Sequence, residues 1–127
     1  MNLNIITCGQ GWKKLYLPII DKIFNHDSKQ KRVEDKIGID EIKEKYGMIS
    51  IKTINPHNIT DEINDMINDA NKDSLNVCEF CGTTENVGVT MNFWYKTCCY
   101  DCWKKEILSK QPQSAWKGKQ SMSYKKS

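Results

Sequence analysis

The chain has 127 residues, of which 39% are hydrophobic and 28% charged, and it carries a formal net charge of +3. That length bounds it to one domain, or one domain plus a small metal module, with a lean apolar core that a metal clip would compensate. No apolar run approaches the roughly 20 residues of a membrane span, and the first residues lack the basic start and apolar stretch of a secretory signal, so a cytoplasmic location and no membrane partner are expected.

In chain order, Leu3–Thr7 reads as a short strand broken by Gly9 and Gly11. Trp12, Tyr16, Ile19, Ile20, Ile23 and Phe24 share one helical face, which predicts a helix near 15–27 with Pro18 in its first turn. Residues 27–36 are mixed in charge and read as a loop. Asp40 is a plausible N-cap for a helix through Tyr46, with Gly47 as its C′ residue. Met48–Ile54 alternates as a strand and ends before Pro56. A second helix is expected over 60–72, with Asp61 and Glu62 at the positive end of its dipole. Val87, Val89 and Met91, then Asn92, Trp94 and Lys96, alternate as a β-hairpin, and a short helix follows Cys102. From Gln111 the chain is polar and Lys-rich, with the composition of a mobile tail.

Four cysteines carry the strongest chemical signal. Cys78-x-x-Cys81-Gly82 and Cys99-x-x-Cys102 flank the hairpin. In a cytosolic chain such paired spacing reads as metal ligation rather than disulfides, and four thiolates suit one structural Zn2+. Four protein sulfurs leave no open coordination position for catalysis. Cys98 is an alternative ligand to Cys99, giving C-x-x-x-C; the two-residue spacing of the first pair favours Cys99. The order knuckle, hairpin, thiolate pair, helix predicts a zinc ribbon or treble-clef-like module. The fold class is thus α+β: a helical N-terminal region with a short sheet over 1–75, packed on a zinc module at 76–110, with a basic flexible tail at 111–127.

Other patches are weaker. Gly9-Gln10-Gly11 before a helix could cradle phosphate, but the full dinucleotide pattern is absent, and a tight turn with Trp12 as anchor is the stronger reading. Cys8 reads as buried packing. His26 and His57 are isolated, whereas a metal-dependent nuclease of the His-Asn-His type needs several histidines around its hairpin and helix; that reading would rest on His57. No catalytic residue is otherwise assigned. Trp94 and Trp103 read as the module's small core. Lys104, Lys105, Lys110, Trp116, Lys117, Lys119 and Tyr124 are the candidate partner-binding residues, because interleaved cations and aromatics can hold phosphates and stack bases. With eighteen lysines and a single arginine, Arg32, nucleic-acid contact would fall on the DNA or RNA backbone rather than on base edges.

Cys8–Trp12, Pro18, Ile42–Gly47, Cys78–Gly82 and Cys99–Trp103 together resemble a functionally unassigned family of small bacteriophage proteins with a C-terminal CxxC…CxxC module. The resemblance spans most of residues 8–103. It implies a phage or prophage product acting inside the bacterial host cell, where such proteins bind host machinery or counter host defences. The expected function is therefore a non-enzymatic zinc-binding protein that engages a host protein or ribonucleoprotein complex of defence or transcription. Direct nucleic-acid binding and a small metal-dependent nuclease are the alternatives.

Overall fold

The computed structural model describes residues 5–91 and 95–118. Helix α1, Lys13–Ser28, buries Tyr16, Ile19, Ile20 and Ile23 in a continuous stripe. It begins earlier than the periodicity indicates, because a 3-10 turn over Gln10–Trp12 feeds straight into it. Pro18 therefore lies inside the helix, not in its first turn; its ring is exposed. The helix outlasts expectation by only one residue. Asp27 then accepts the backbone N–H groups of Ile37 (2.8 Å) and Gly38 (2.9 Å), closing the connection that contains the 3-10 turn Val33–Asp35.

The expected helix over Asp40–Tyr46 is a strand. β1 (Ile39–Lys45) pairs antiparallel with β2 (Met48–Thr53), with Lys45 opposite Met48. Tyr46 (φ 53°) and Gly47 (φ 84°) are both left-handed, the pattern of a two-residue type I′ hairpin turn. A glycine after a run of helix formers reads equally well as a helix C′ residue or as the second residue of that turn. Here cross-strand pairing overrides local propensity. Ile42 and Ile49 are buried, and Glu41 lies opposite Lys52.

Helix α2, Asp61–Ser74, forms where the sequence places it, with the Thr60 hydroxyl accepting from the Ile63 N–H at 3.2 Å. Its C-terminal end closes the outer edge of β2. The Ser74 hydroxyl accepts from the Ile49 N–H (3.0 Å), and the Asn71 amide donates to the Ile49 carbonyl. An edge strand exposes unpaired backbone groups that invite association, and two side chains satisfy both groups of Ile49. On the other side of this small sheet, the Leu3–Thr7 strand reduces to one bridge, Ile6 to Ile42, with Leu3 and Asn4 outside the described residues.

The second sheet has the order β4-β3-β5, from β3 (Val87–Met91), β4 (Thr97–Cys99) and β5 (Ala115–Gly118). β4 starts at Thr97, later than the alternation through Asn92, Trp94 and Lys96 implies; Asn92 and Trp94 lie outside the described residues. α3, a single turn over Tyr100–Cys102, runs on as a π-helical segment Trp103–Leu108. β5 is cut from the segment expected to be a mobile tail. It pairs with β3 from Gly88↔Gly118 to Met91↔Ala115. Its four residues carry no apolar periodicity, so only the partner strand reveals it.

Two apolar clusters result. One holds Trp12, the α1 stripe, Ile37, Ile42, Ile49, Ile63, Ala70 and Val77. The other holds Cys78, Val87, Cys98, Cys99 and Ile107, with Trp103 and Trp116 against it. They abut at Val77–Cys78. No helix among the described residues is long and apolar enough to cross a membrane.

Candidate metal centre

Residues Cys78–Thr83 form a tight knuckle. The Gly82 N–H donates to the Cys78 carbonyl (2.9 Å), the Cys78 N–H donates to the Thr83 carbonyl (2.9 Å), and the Cys81 N–H points at the Cys78 sulfur (3.5 Å). Gly82 sits at φ 83°, a conformation that side chains disfavour. The second pair is set by the β3–β4 register, in which Val87 lies opposite Cys99. Cys99 caps α3, its sulfur accepting from the Cys102 N–H at 3.4 Å.

The sulfurs of Cys78, Cys81, Cys99 and Cys102 all lie within 4.8 Å of one another. Among the described residues this is the one cluster of three or more His, Cys, Asp or Glu side chains positioned to hold a metal ion. Cys81 and Cys99 are 3.8 Å apart. A tetrahedron with metal–sulfur bonds of about 2.3 Å has edges of about 3.8 Å, so the donor set fits a four-sulfur centre. Cys98 is not part of it. Next to Cys99 on β4 it points to the opposite face, where burial, then the neighbouring Cys78 and Cys99 thiols, push its own thiol up to about 12.

The electrostatics favour a cation. At Cys78, burial acts to raise the thiol, but N–H groups of Cys81, Cys99 and Phe80 outweigh it and leave the sulfur below its ordinary value. Cys99 and Cys102 are raised, first by burial and then by their sulfur neighbours. Four crowded sulfurs cannot all ionise alone; a divalent ion removes that conflict. Cys78 and Cys99 are buried, while Cys81 is exposed.

The Cys8–Trp12 segment is not a phosphate cradle. It clasps the first knuckle. The Gly11 N–H donates to the Glu79 carbonyl (2.7 Å) and the Gly9 N–H to the Glu79 carboxylate (2.9 Å). The Trp12 indole N–H donates to the Val77 carbonyl (2.8 Å), and Lys14 Nζ reaches the Gly82 carbonyl (2.7 Å). A Cβ at Gly11 would lie 2.2 Å from the Cys78 carbonyl oxygen, so the backbones meet there only because the residue has no side chain. Cys8 is half-buried, its thiol pushed up to about 11 by burial and then by Glu79.

Glu79, between Cys78 and Cys81, is 2% exposed. It also faces Lys96 (3.4 Å), which pairs with Glu44 of β1 (3.1 Å). Burial acts to lower the Lys96 ammonium, but Glu79 and Glu44 hold it above its ordinary value. The Thr97 hydroxyl donates to the Gly47 carbonyl at 2.6 Å. These bonds span the expected boundary at residue 75. The sequence reading missed Glu79 and Lys96; the only signal was a charged residue inside an otherwise apolar knuckle.

Among the expected partner-binding residues, Lys104, Lys105, Lys110 and Lys117 are exposed. Lys104 Nζ lies 5.4 Å from the centre of the Tyr100 ring. Trp116 packs against the apolar cluster of the second sheet. Its indole donates to the Cys98 carbonyl (2.9 Å) and its ring meets Tyr100 edge-on at 5.3 Å. Trp103 packs on the same cluster and donates to Ser114 (3.1 Å). Lys119 and Tyr124 lie outside the described residues. His57 is exposed in the 3-10 turn Pro56–Asn58 and is not in the sulfur cluster. Comparison with protein-family models, with curated proteins and with solved structures gives no match.

Proposed function

We propose that the protein is a non-enzymatic docking protein whose C-terminal half is a treble-clef-like module held by one structural Zn2+. The observation that carries this reading is the four-sulfur cluster, with a donor from every corner of a tetrahedron and none left for substrate. The order of elements supports the module: knuckle, β3–β4 hairpin, then a helix opened by the second thiolate pair. The partner is a macromolecule of the bacterial host, a protein or ribonucleoprotein complex of defence or transcription, and the protein is a phage product acting in the host cytoplasm. The metal's role is to fix the knuckle on which the N-terminal clasp and the second sheet both rest.

Direct nucleic-acid binding is the second reading, favoured by Lys104 over the Tyr100 ring and by the exposed Lys105 and Lys117. One experiment separates them. The tagged, metal-loaded protein is used to capture partners from bacterial lysate with and without nuclease treatment. Docking predicts a defined protein set that survives nuclease and is lost with Cys81→Ser. Recovery of bulk nucleic acid alone, released steeply by salt, supports the second reading, and metal-dependent cleavage of nucleic acid that is lost in His57→Ala contradicts both.

A further inference from the structure

The four clustered sulfurs differ in their access to solvent. Cys78 is 0% exposed and Cys99 6%. Cys102 is half-buried, and Cys81 is the exposed member. Cys81 opens onto a cleft lined by Gln10, Gly11, Leu17 and Gly82 and by two lysines, Lys13 and Lys14. The lining holds no carboxylate, so its positive charge favours a step that expels an anion beside the sulfur. The Cys99 sulfur lies 3.8 Å from that of Cys81, and the two residues are 18 apart in sequence. A solvent-facing cysteine with a second, buried sulfur in contact is the arrangement of an oxidisable thiol and its resolving partner.

We propose that Cys81 and Cys99 form a redox switch: hydrogen peroxide oxidises Cys81, Cys99 closes a disulfide onto it, and the centre gives up its metal. This rests on the structural-zinc reading above and adds its regulation. The Cys81 thiolate attacks the peroxide. An S–O bond forms, the O–O bond breaks and hydroxide leaves, so the sulfur becomes a sulfenic acid and the peroxide takes its two electrons. The Cys99 thiolate then attacks the Cys81 sulfur; an S–S bond forms, the S–O bond breaks and a second hydroxide leaves. Solvent protonates both hydroxides. Cys78 and Cys102 remain, half of the donor set that a structural zinc requires. Cys99 is the resolving partner rather than Cys78 because it has less to give up. The Cys78 sulfur is held by N–H groups of Cys81, Cys99 and Phe80, whereas that of Cys99 is held by the Cys102 N–H.

The test treats the full-length, metal-loaded protein with hydrogen peroxide and follows released zinc with a chromogenic chelator, free thiols by titration, and tryptic peptides by mass spectrometry. The expected result is one zinc released for each pair of thiols lost, with both restored by dithiothreitol and added zinc. Trypsin leaves Cys78 and Cys81 on residues 73–96, and Cys98, Cys99 and Cys102 on residues 97–104. A Cys81–Cys99 disulfide therefore joins the two peptides, and fragmentation places it. Brief alkylation of the untreated protein with iodoacetamide should label Cys81 about tenfold faster than Cys78 or Cys99, as access dictates. Zinc retained while other residues oxidise, zinc released with the two peptides still separate, or Cys78 labelled first would each overturn the switch and leave the zinc reading standing. A chain that purifies under reducing conditions without metal overturns both.

Discussion

The Asp27 carboxylate shows how a single side chain fixes the start of the first sheet. Burial acts to raise its pKa, but the N–H groups of Ile37 and Gly38 and the adjacent His26 outweigh that and hold it below the ordinary 3.8. A depressed folded pKa contributes stability that is complete above the ordinary carboxylate value and lost as pH falls through the folded one. Asp27→Asn should therefore melt well below the native protein near neutral pH. The gap should narrow as pH falls below 3.8 and through the lower folded value, where the native carboxyl takes up its proton. An equal gap at neutral and at acid pH in thermal melts would show that the charge contributes nothing.

Among the elements, the Gly9–Trp12 clasp links the two apolar clusters. Its fit depends on the bare Cα of Gly11, since an added Cβ meets the Cys78 carbonyl at 2.2 Å. Gly11→Ala should cost about 2 kcal/mol, the scale of a forced backbone shift in a packed contact, read from the urea midpoint; a change within about 0.5 kcal/mol, the scale of ordinary surface substitutions, would mean the segment does not bear on the knuckle. The edge closure of β2 makes a milder case. Ser74→Ala leaves the buried Ile49 N–H without its acceptor, at about 1 kcal/mol or more.

Elements whose signal is periodic and local were legible: α1 and α2 from their apolar stripes, the four-cysteine cluster from its spacing. β1 was not, because Ile39–Lys45 is rich in helix formers and its strand state is imposed by β2 and a left-handed Tyr46–Gly47 turn. β5 was not, because it gains its structure from β3 and from Trp116 bonding across the sheet to Cys98. The clasp was hidden for the same reason: Gly9 and Gly11 find their partner some seventy residues away, at Glu79.

At the scale of the molecule, the sulfur cluster is the junction through which both sheets and the start of α1 are tied. Structural zinc in small modules contributes roughly 10–16 kcal/mol of apparent binding energy, comparable with the whole stability of a typical domain. Its loss should be felt well outside the cluster. Cys81→Ser, or chelation, should unfold residues 76–108. It should also expose Trp12, whose indole is bonded to Val77 next to Cys78, so that both hydrogen exchange and tryptophan emission report it.

Elemental analysis of protein purified under reducing conditions is the most direct measurement. The account predicts one zinc per chain, absent from Cys81→Ser. A chain that stays cooperatively folded with no bound metal would contradict it.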